Sequence, residues 1–303
     1  MRSGSGYKGA YILGTLIQLI IQGLSVGSMY ALLALGYNLI FSTMNMSHFA
    51  QGDIMMVGAY IAMTLYVNVK LPFLLSLVLT VILTVAVMIV IERLVYRPLY
   101  NRSDIALIIT TIGVAITLRN AAQAIFGPQS NGFPSVLGSQ AVDVKGILIV
   151  PQNIWITVIG LILMALLGFF MNKTKVGTAM RAVSMNRKAA ALMGIKMSTI
   201  TLFAYGIAAA LAAVAAVMMA PIYKVYPVMG MNVGMKAMTA SCVGGMGNLY
   251  GAMVGGILLG LVETLGGAYI TTQFKEALPV IMLLLVLILK PEGLLGEKRI
   301  TKV

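Results

Sequence analysis

Residues 41–60 read FSTMNMSHFAQGDIMMVGAY, and positions 42–53 within them gather Ser42, Thr43, Asn45, Ser47, His48, Gln51 and Asp53. The mostly apolar run 12–41 precedes this polar cluster and the apolar run 53–69 follows it. An exposed loop is one explanation. Against it, the cluster holds no Pro, Lys or Arg. The flanking runs also have awkward lengths, one long for a single membrane span and one short. Such lengths suit helices that break and restart inside a bilayer. An unpaired backbone group in hydrocarbon costs several kcal/mol, so a break there must be buried in protein or face water. Transporters place substrate sites at breaks of this kind, where freed amides and carbonyls can bind a ligand.

The rest of the chain agrees. It has 303 residues, 60% hydrophobic and only 10% charged, whereas soluble domains carry roughly 25% charged residues. Apolar runs lie at approximately 12–41, 53–69, 71–91, 105–126, 152–171, 198–220, 234–270 and 277–289. Several exceed the ~18 residues of a membrane-spanning helix. The expected fold class is all-α, a polytopic transmembrane helix bundle of about eight spans with broken or re-entrant helices. Runs this long and continuous argue against a barrel, whose strands alternate over ~10 residues. The opening MRSGSGYKGAYILG is weakly basic, but the apolar run behind it outlasts the ~7–15-residue core of a signal peptide, so it reads as a retained segment. The organisation expected is an N-terminal tail at 1–11, a transmembrane domain at 12–291 and a cytoplasmic tail at 292–303.

The net charge of +13 falls between the apolar runs rather than forming a nucleic-acid surface. Segment 172–197 carries Lys173, Lys175, Arg181, Arg187, Lys188 and Lys196 with no acid. Arg93, Arg97 and Arg102 lie in 92–104, and Lys290, Lys298, Arg299 and Lys302 lie near the end. The positive-inside rule makes all three segments cytoplasmic and the Gly- and Pro-rich 127–151 external. Parity of crossings leaves open the side of the N-terminus. It also leaves open whether 234–270 crosses twice or re-enters.

A second cluster, NVGMKAMTASCVGGMGNLYG at 232–251, weakly echoes 36–60: an apolar stretch, a Gly-rich turn, an apolar helix. It contributes Thr239 and Ser241. Paired broken segments are the best sequence pointer to a transport path. Lys236 and Glu263 are ionisable residues in this apolar region, which marks them as functional candidates. Gly23 and Gly27, Gly251 and Gly255, and Gly256 and Gly260 are each spaced for close helix packing. Residues 177–197, GTAMRAVSMNRKAAALMGIK, read as a short helix stopped by Gly194. Its small alanines beside Arg181, Arg187 and Lys188 favour docking of a soluble partner over lying on lipid. His48 and Cys242 are each the sole residue of their kind. They supply neither a zinc ligand set nor an internal disulfide, and little catalytic chemistry remains.

Several stretches together resemble the H-type permease subunit of bacterial branched-chain amino acid ABC importers. They are GLSVGSMYALLALGYNLIFSTMNMSHFAQGDIMMVGAY, GTAMRAVSMNRKAAALMGI, GMKAMTASCVGGMGNLYGAMVGGILLGLVE and the ending LVLILKPEGLLG, in that order over about residues 13–296. The resemblance implies a subunit of the bacterial inner membrane that pairs with a second, related permease. It also implies two cytoplasmic ATP-binding subunits and an extracytoplasmic solute-binding protein. The chain has no G-x-x-x-x-G-K-[ST] motif, so ATP and Mg are expected on the partner ATPases and no cofactor on this chain. Arg181, Ala182, Asn186, Ala189, Ala190 and Gly194 match the family's coupling-loop pattern, which engages the ATPase. Asn45, Ser47, His48, Gln51, Gly52, Asp53, Thr239 and Ser241 are the expected substrate-path residues. Many relatives read Asn-Phe-Ala-His-Gly-Glu where this chain has His48-Phe49-Ala50-Gln51-Gly52-Asp53, so the histidine has moved and Gln stands in its usual place. Relatives also carry urea and short amides, and nothing in the composition selects among these substrates.

Overall fold

The computed structural model describes residues 4–296 apart from 101, 136, 137, 139, 145, 146 and 271. Lys298, Arg299 and Lys302, near the end of the chain, lie outside the described residues.

Helix α1 runs Gly4–Met44 without interruption. Its 41 residues extend about 60 Å at 1.5 Å per residue. The run at 12–41 is therefore one long helix, not a span plus a second partial helix. No proline interrupts it, and its Gly23, Gly27 and Gly36 lie in close contact with other helices. The chain turns at 45–50 into α2, Gln51–Met63, which ends in a π-wound turn at Thr64–Asn68. There follow α3 (Phe73–Ile91), α4 (Asp104–Phe126), α5 (Pro151–Lys173), α6 (Lys175–Met185), α7 (Arg187–Leu192), α8 (Met197–Tyr223), α9 (Met229–Gly244), α10 (Leu249–Tyr269) and α11 (Leu278–Leu289). Between α4 and α5, β1 (Val142–Val144) and β2 (Ile147–Ile149) form a small antiparallel hairpin. Among the described residues six helices are long and apolar enough to cross a bilayer: α1, α3, α4, α5, α8 and α10.

The core is built around α1, whose residues 25–40 are all buried. In lipid there is little hydrophobic drive between helices, so close backbone approach must supply the packing. Glycine provides it here. A Cβ on Gly260 would strike the backbone of Gly27, and one on Gly256 would strike that of Ala31. Advancing along α1 while retreating along α10, these contacts make the two helices antiparallel.

Two questions of topology close on these contacts. The end of α1 is tied to the basic segment by Arg187 Nη1, which donates to the Met44 carbonyl at 3.3 Å. The turn between α9 and α10 lies at that same end, since a Cβ on Gly247 would sit 3.7 Å from the Phe41 ring. The chain following α11 joins it there, with Leu294 and Leu295 N–H donating to the carbonyls of Val243 and Gly244. So α9 and α10 form two antiparallel passes, and the start of α1 lies opposite the basic end.

Candidate functional site

The polar cluster at 42–53 sits inside the protein. Asn45 adopts φ 55°, a left-handed conformation that Asn tolerates better than most residues, and there α1 gives way to the turn. Several groups beyond it find partners on other helices. His48 is fully buried. Its Nε2 lies 3.1 Å from the Tyr96 hydroxyl, and its ring meets Tyr96 and Tyr205 edge-on at 5.3 and 5.2 Å. Phe49 N–H donates to Thr111 Oγ1 on α4. Gln51 Nε2 donates to the Ala208 carbonyl of α8 at 2.9 Å. The break is thus braced against the end of α3, α4 and α8.

Asp53 lies in the first turn of α2, where the positive end of the helix dipole favours an acid. It also receives a two-pronged ion pair. Arg119 Nε donates to Oδ1 at 3.1 Å and Nη2 to Oδ2 at 3.0 Å, the fork geometry that suits Arg to carboxylates. The Asp53 side chain is 2% exposed and that of Arg119 23%. Beside them α2 and α9 meet backbone to backbone, for a Cβ on Gly52 would strike the Gly230 carbonyl and approach Gly234 Cα to 2.8 Å.

One step along α1, buried Asn38 holds the turn between α9 and α10. Its Oδ1 accepts from Ser241 Oγ at 2.6 Å and from Gly247 N–H at 3.2 Å, while Nδ2 donates to the Asn248 carbonyl at 2.8 Å. The two broken segments paired in the sequence therefore touch, through Gly52 against α9 and Asn38 against the 245–248 turn. Further along α9 a second charged group forms. Glu263 accepts from the Tyr30 hydroxyl at 2.9 Å and from Lys236 Nζ at 3.0 Å. Lys236 also reaches Glu276 at 3.0 Å, and Lys275 stands 3.7 Å from Glu263.

The eight path residues expected from sequence separate in the structure. His48, Gln51, Gly52, Asp53 and Ser241 are buried and engaged within this chain, whereas Asn45 is exposed and Ser47 and Thr239 are half-buried. The five buried positions pack against other elements of this chain. Leaving polar groups unpaired in apolar surroundings is costly, and this chain pairs most of them with its own side chains and carbonyls, while His48 Nδ1 and Gln51 Oε1 remain buried without a partner. Two residues central to the arrangement are missing from the sequence-based set, Asn38 and Arg119. Both carried a signal: Arg119 is the sole charge between 105 and 126, and Asn38 the sole amide between 25 and 40.

At the basic end, 177–197 forms two short helices rather than one. Asn186 ends α6 with φ −155° and caps α7, its Oδ1 accepting from Ala189 N–H at 3.0 Å. Gly194 stops α7 at φ +83°, a conformation suited to glycine. Arg181 donates to Asn172 Oδ1 at 3.1 Å. Ala190 is buried, Ala182 half-buried and Ala189 exposed, so the alanines do not form a single outward face. The outward apolar surface is instead Met185, Leu192 and Met193, exposed by 87%, 89% and 84%.

Residues 19–287 match the family described as branched-chain amino acid transport system / permease component. The high-affinity branched-chain amino acid transport system permease protein BraD of Pseudomonas aeruginosa is 36% identical over 300 residues, covering 95% of this chain and 98% of that protein. The corresponding permease protein LivH of Escherichia coli is 33% identical over 302 residues, covering 95% and 97%. Among solved structures, PsaBC from Streptococcus pneumoniae in complex with Fab aligns with a TM-score of 0.50 at 14% identity, over 94% of this chain and 96% of that one, a likeness of fold alone. The chain belongs to the branched-chain amino acid transport permease family.

Proposed function

We propose that this chain is the path-forming permease subunit of an ATP-driven importer of branched-chain amino acids in the bacterial cytoplasmic membrane. Its partners in this reading are a second, related permease, two cytoplasmic ATP-binding subunits and an extracytoplasmic solute-binding protein. The observation that carries the reading is the apolar tip at Met185, Leu192 and Met193, almost fully exposed on the basic segment. Large apolar side chains at such exposure mark a contact surface. Arg181 and Lys188 flank it, and the chain has no phosphate-binding motif of its own, which suits a tip that docks separate ATPases holding ATP and Mg.

The tip is mechanically linked to the break. Arg187 starts α7 and bonds the last carbonyl of α1, an arrangement that also complements the negative end of that helix. Motion of the ATPases at α6 and α7 then reaches α1 and the 45–50 turn through one side chain. Thr239 shares a face of α9 with exposed Met231 and Met235, and flexible thioethers suit a path for apolar side chains of varied shape. Together with Asn45 and Ser47, these residues offer weak contacts, as alternating access requires of a path that must release its cargo.

The test is uptake into vesicles that hold this chain, its companion permease, the ATPases and the binding protein. Leucine uptake that requires ATP supports the reading. Urea uptake in its place overturns the substrate, and uptake independent of ATP overturns the coupling. Leu192→Asp is expected to abolish uptake and stimulated ATP hydrolysis while leaving the melting temperature unchanged, because the side chain it replaces packs on almost nothing within the chain.

A further inference from the structure

Arg119 holds more hydrogen-bond donors than this chain uses. A guanidinium carries five N–H groups in a planar fork. It can meet a carboxylate along either of two edges, Nε with Nη2 or Nη1 with Nη2. The first edge is filled by Asp53, which takes Nε at 3.1 Å and Nη2 at 3.0 Å. Along the second, the partner among the described residues is the Met231 sulfur, 3.4 Å from Nη1, and a thioether is a weak acceptor. One hydrogen on Nη1 and one on Nη2 are therefore unspent. Lys236 makes the contrast, since its ammonium stands between the two carboxylates of Glu263 and Glu276.

The unspent edge lies at membrane depth. About 10 Å of helix separates Arg119 from the end of α4 at Phe126. A donor without an acceptor is costly in apolar surroundings, and an ionisable residue within a span is a functional candidate by default. The setting is a junction of three helices. The packing of α2 involves both α9 and α4, and at the first turn of α2 the Arg119 side chain touches Asp53 and Met231 together. Its side chain is 23% exposed and so can be reached, whereas that of Asp53 is 2% exposed and cannot. Met231 and Met235 stand one turn apart on α9, exposed by 47% and 58%. The junction thus offers a pair of donors for an anion, and beside them a flexible thioether wall that adapts to apolar shapes.

A solute with a carboxylate next to a compact apolar side chain matches both features. We infer that the second edge of Arg119 receives the carboxylate of the transported amino acid, with the apolar side chain of that solute against Met231 and Met235. The edge then selects carboxylate-bearing solutes over urea and amides. Those present a neutral oxygen, and a hydrogen bond between two charged groups is the stronger and, with this fork, the two-pronged one. The hold of Asp53 on the first edge keeps the guanidinium in one orientation, so the second edge needs no reordering when a solute arrives. An acidic side chain of a companion subunit has the same chemistry, and the test separates the two sources. The inference rests on the importer reading above and adds to it the residue that reads the substrate.

Methyl NMR on the full chain in lipid nanodiscs tests it. The methionine methyls are labelled with carbon-13, and the Met231 signal is assigned by its loss in Met231→Leu. Leucine is expected to shift that signal, and so is isocaproate, which is leucine without its amino group. Leucinamide, which lacks the carboxylate, and urea should need about tenfold higher concentration or more. Arg119→Lys keeps the ion pair with Asp53 but presents no second edge. It is expected to melt close to the parent protein and to lose the leucine shift. In the reconstituted importer the double change Asp53→Asn and Arg119→Met should keep the ATP hydrolysis stimulated by the loaded binding protein, while leucine uptake falls about tenfold or more. Equal shifts from leucine and leucinamide, a leucine shift that survives in Arg119→Lys, or a joint loss of hydrolysis and uptake in the double variant overturns the inference and leaves the importer reading standing. Unchanged uptake in the double variant overturns the transported solute as occupant and leaves the edge to an acidic side chain of a companion subunit. ATP-dependent uptake of urea and not of leucine by the parent importer overturns the substrate reading itself, whatever the methyl signal does.

Discussion

Among the described residues three carboxylates are buried at the same 1% exposure, Asp53 on α2, Glu92 just after α3 and Glu263 on α10, and the two that face cations, Asp53 and Glu263, are held in opposite ways. Asp53 depends on one partner: both its oxygens are taken by the fork of Arg119. Glu263 is shared among the Tyr30 hydroxyl, Lys236 and, farther away, Lys275, while Lys236 divides itself between Glu263 and exposed Glu276. A single two-pronged bond fixes geometry, because neither ion can move without losing both contacts. A shared network tolerates movement, because a cation that leaves is partly replaced by another. Asp53 starts the helix that follows the break and locks α2 to α4. Glu263 joins the outer parts of α9 and α10 to the chain between α10 and α11. The rigid joint thus lies beside the break, and the adaptable one near the surface facing away from the basic segment.

The largest effect is expected from Arg119→Met, which leaves Asp53 buried without a counter-charge. Removing one partner of a buried pair costs about 3–5 kcal/mol. Thermal unfolding in detergent checks it, with the double change Asp53→Asn and Arg119→Met as control. The double variant should regain most of the lost stability, because the unpaired charge is gone. If the single change melts like the parent protein, Arg119 is not the sole support of Asp53 and the contrast with Glu263 disappears.

Parts of this arrangement were legible in the sequence, and the reasons differ by residue. Long apolar runs, basic segments and spaced glycines report the bundle and its orientation directly, since lipid imposes them residue by residue. Gly23 and Gly27 on α1 and Gly256 and Gly260 on α10 are in fact where those helices meet, while Gly251 and Gly255 meet α9. Gly194 is a stop because only a left-handed residue can end the helix there, which is a local property. What the sequence could not convey is which polar residues pair with each other. Asp53 and Arg119 are 66 positions apart, and Asn38 and Ser241 are 203. Polar residues near a break look the same in sequence whether they face a path or brace a core, so the type and position of His48, Gln51 and Ser241 do not reveal their contacts. The division of 177–197 into two helices turns on Asn186, whose side chain caps α7. Asn inside a run of good helix formers is a weak signal until that cap is seen.

A smaller effect is expected from Lys236→Met. Glu263 would keep the Tyr30 hydroxyl, and Lys275, 3.7 Å away and 39% exposed, has room to move closer. The cost should be about 1–3 kcal/mol, the range for a buried acceptor that loses one of several partners. Removing Lys275 as well is the sharper measurement. If the network is shared, Lys275→Met should cost little alone and clearly more once Lys236 is absent, a non-additive pair. Simple addition of the two would mean that Lys236 is a dedicated partner, as Arg119 is.

The smallest effect is expected from Glu276→Gln, and its reasoning tests the ranking from the other end. Glu276 bonds the same Lys236 nitrogen at the same 3.0 Å as Glu263 does, so distance alone would rate the two contacts equal. They differ in surroundings: the Glu276 side chain is 76% exposed and that of Glu263 1%. Water and salt screen the exposed carboxylate, and pairs of that kind contribute about 0–1 kcal/mol. Glu276→Gln should therefore shift the melting temperature by no more than a degree or two, and raising the salt concentration should shrink even that difference. In the same assay Glu263→Gln should be costly, since Lys236 would then lose its buried partner while remaining largely shielded itself. A large, salt-insensitive loss from Glu276→Gln would show that the outer carboxylate holds Lys236 in place for Glu263. The network would then behave as one unit, and the difference between a rigid and an adaptable joint would have to be sought in motion rather than in the number of partners.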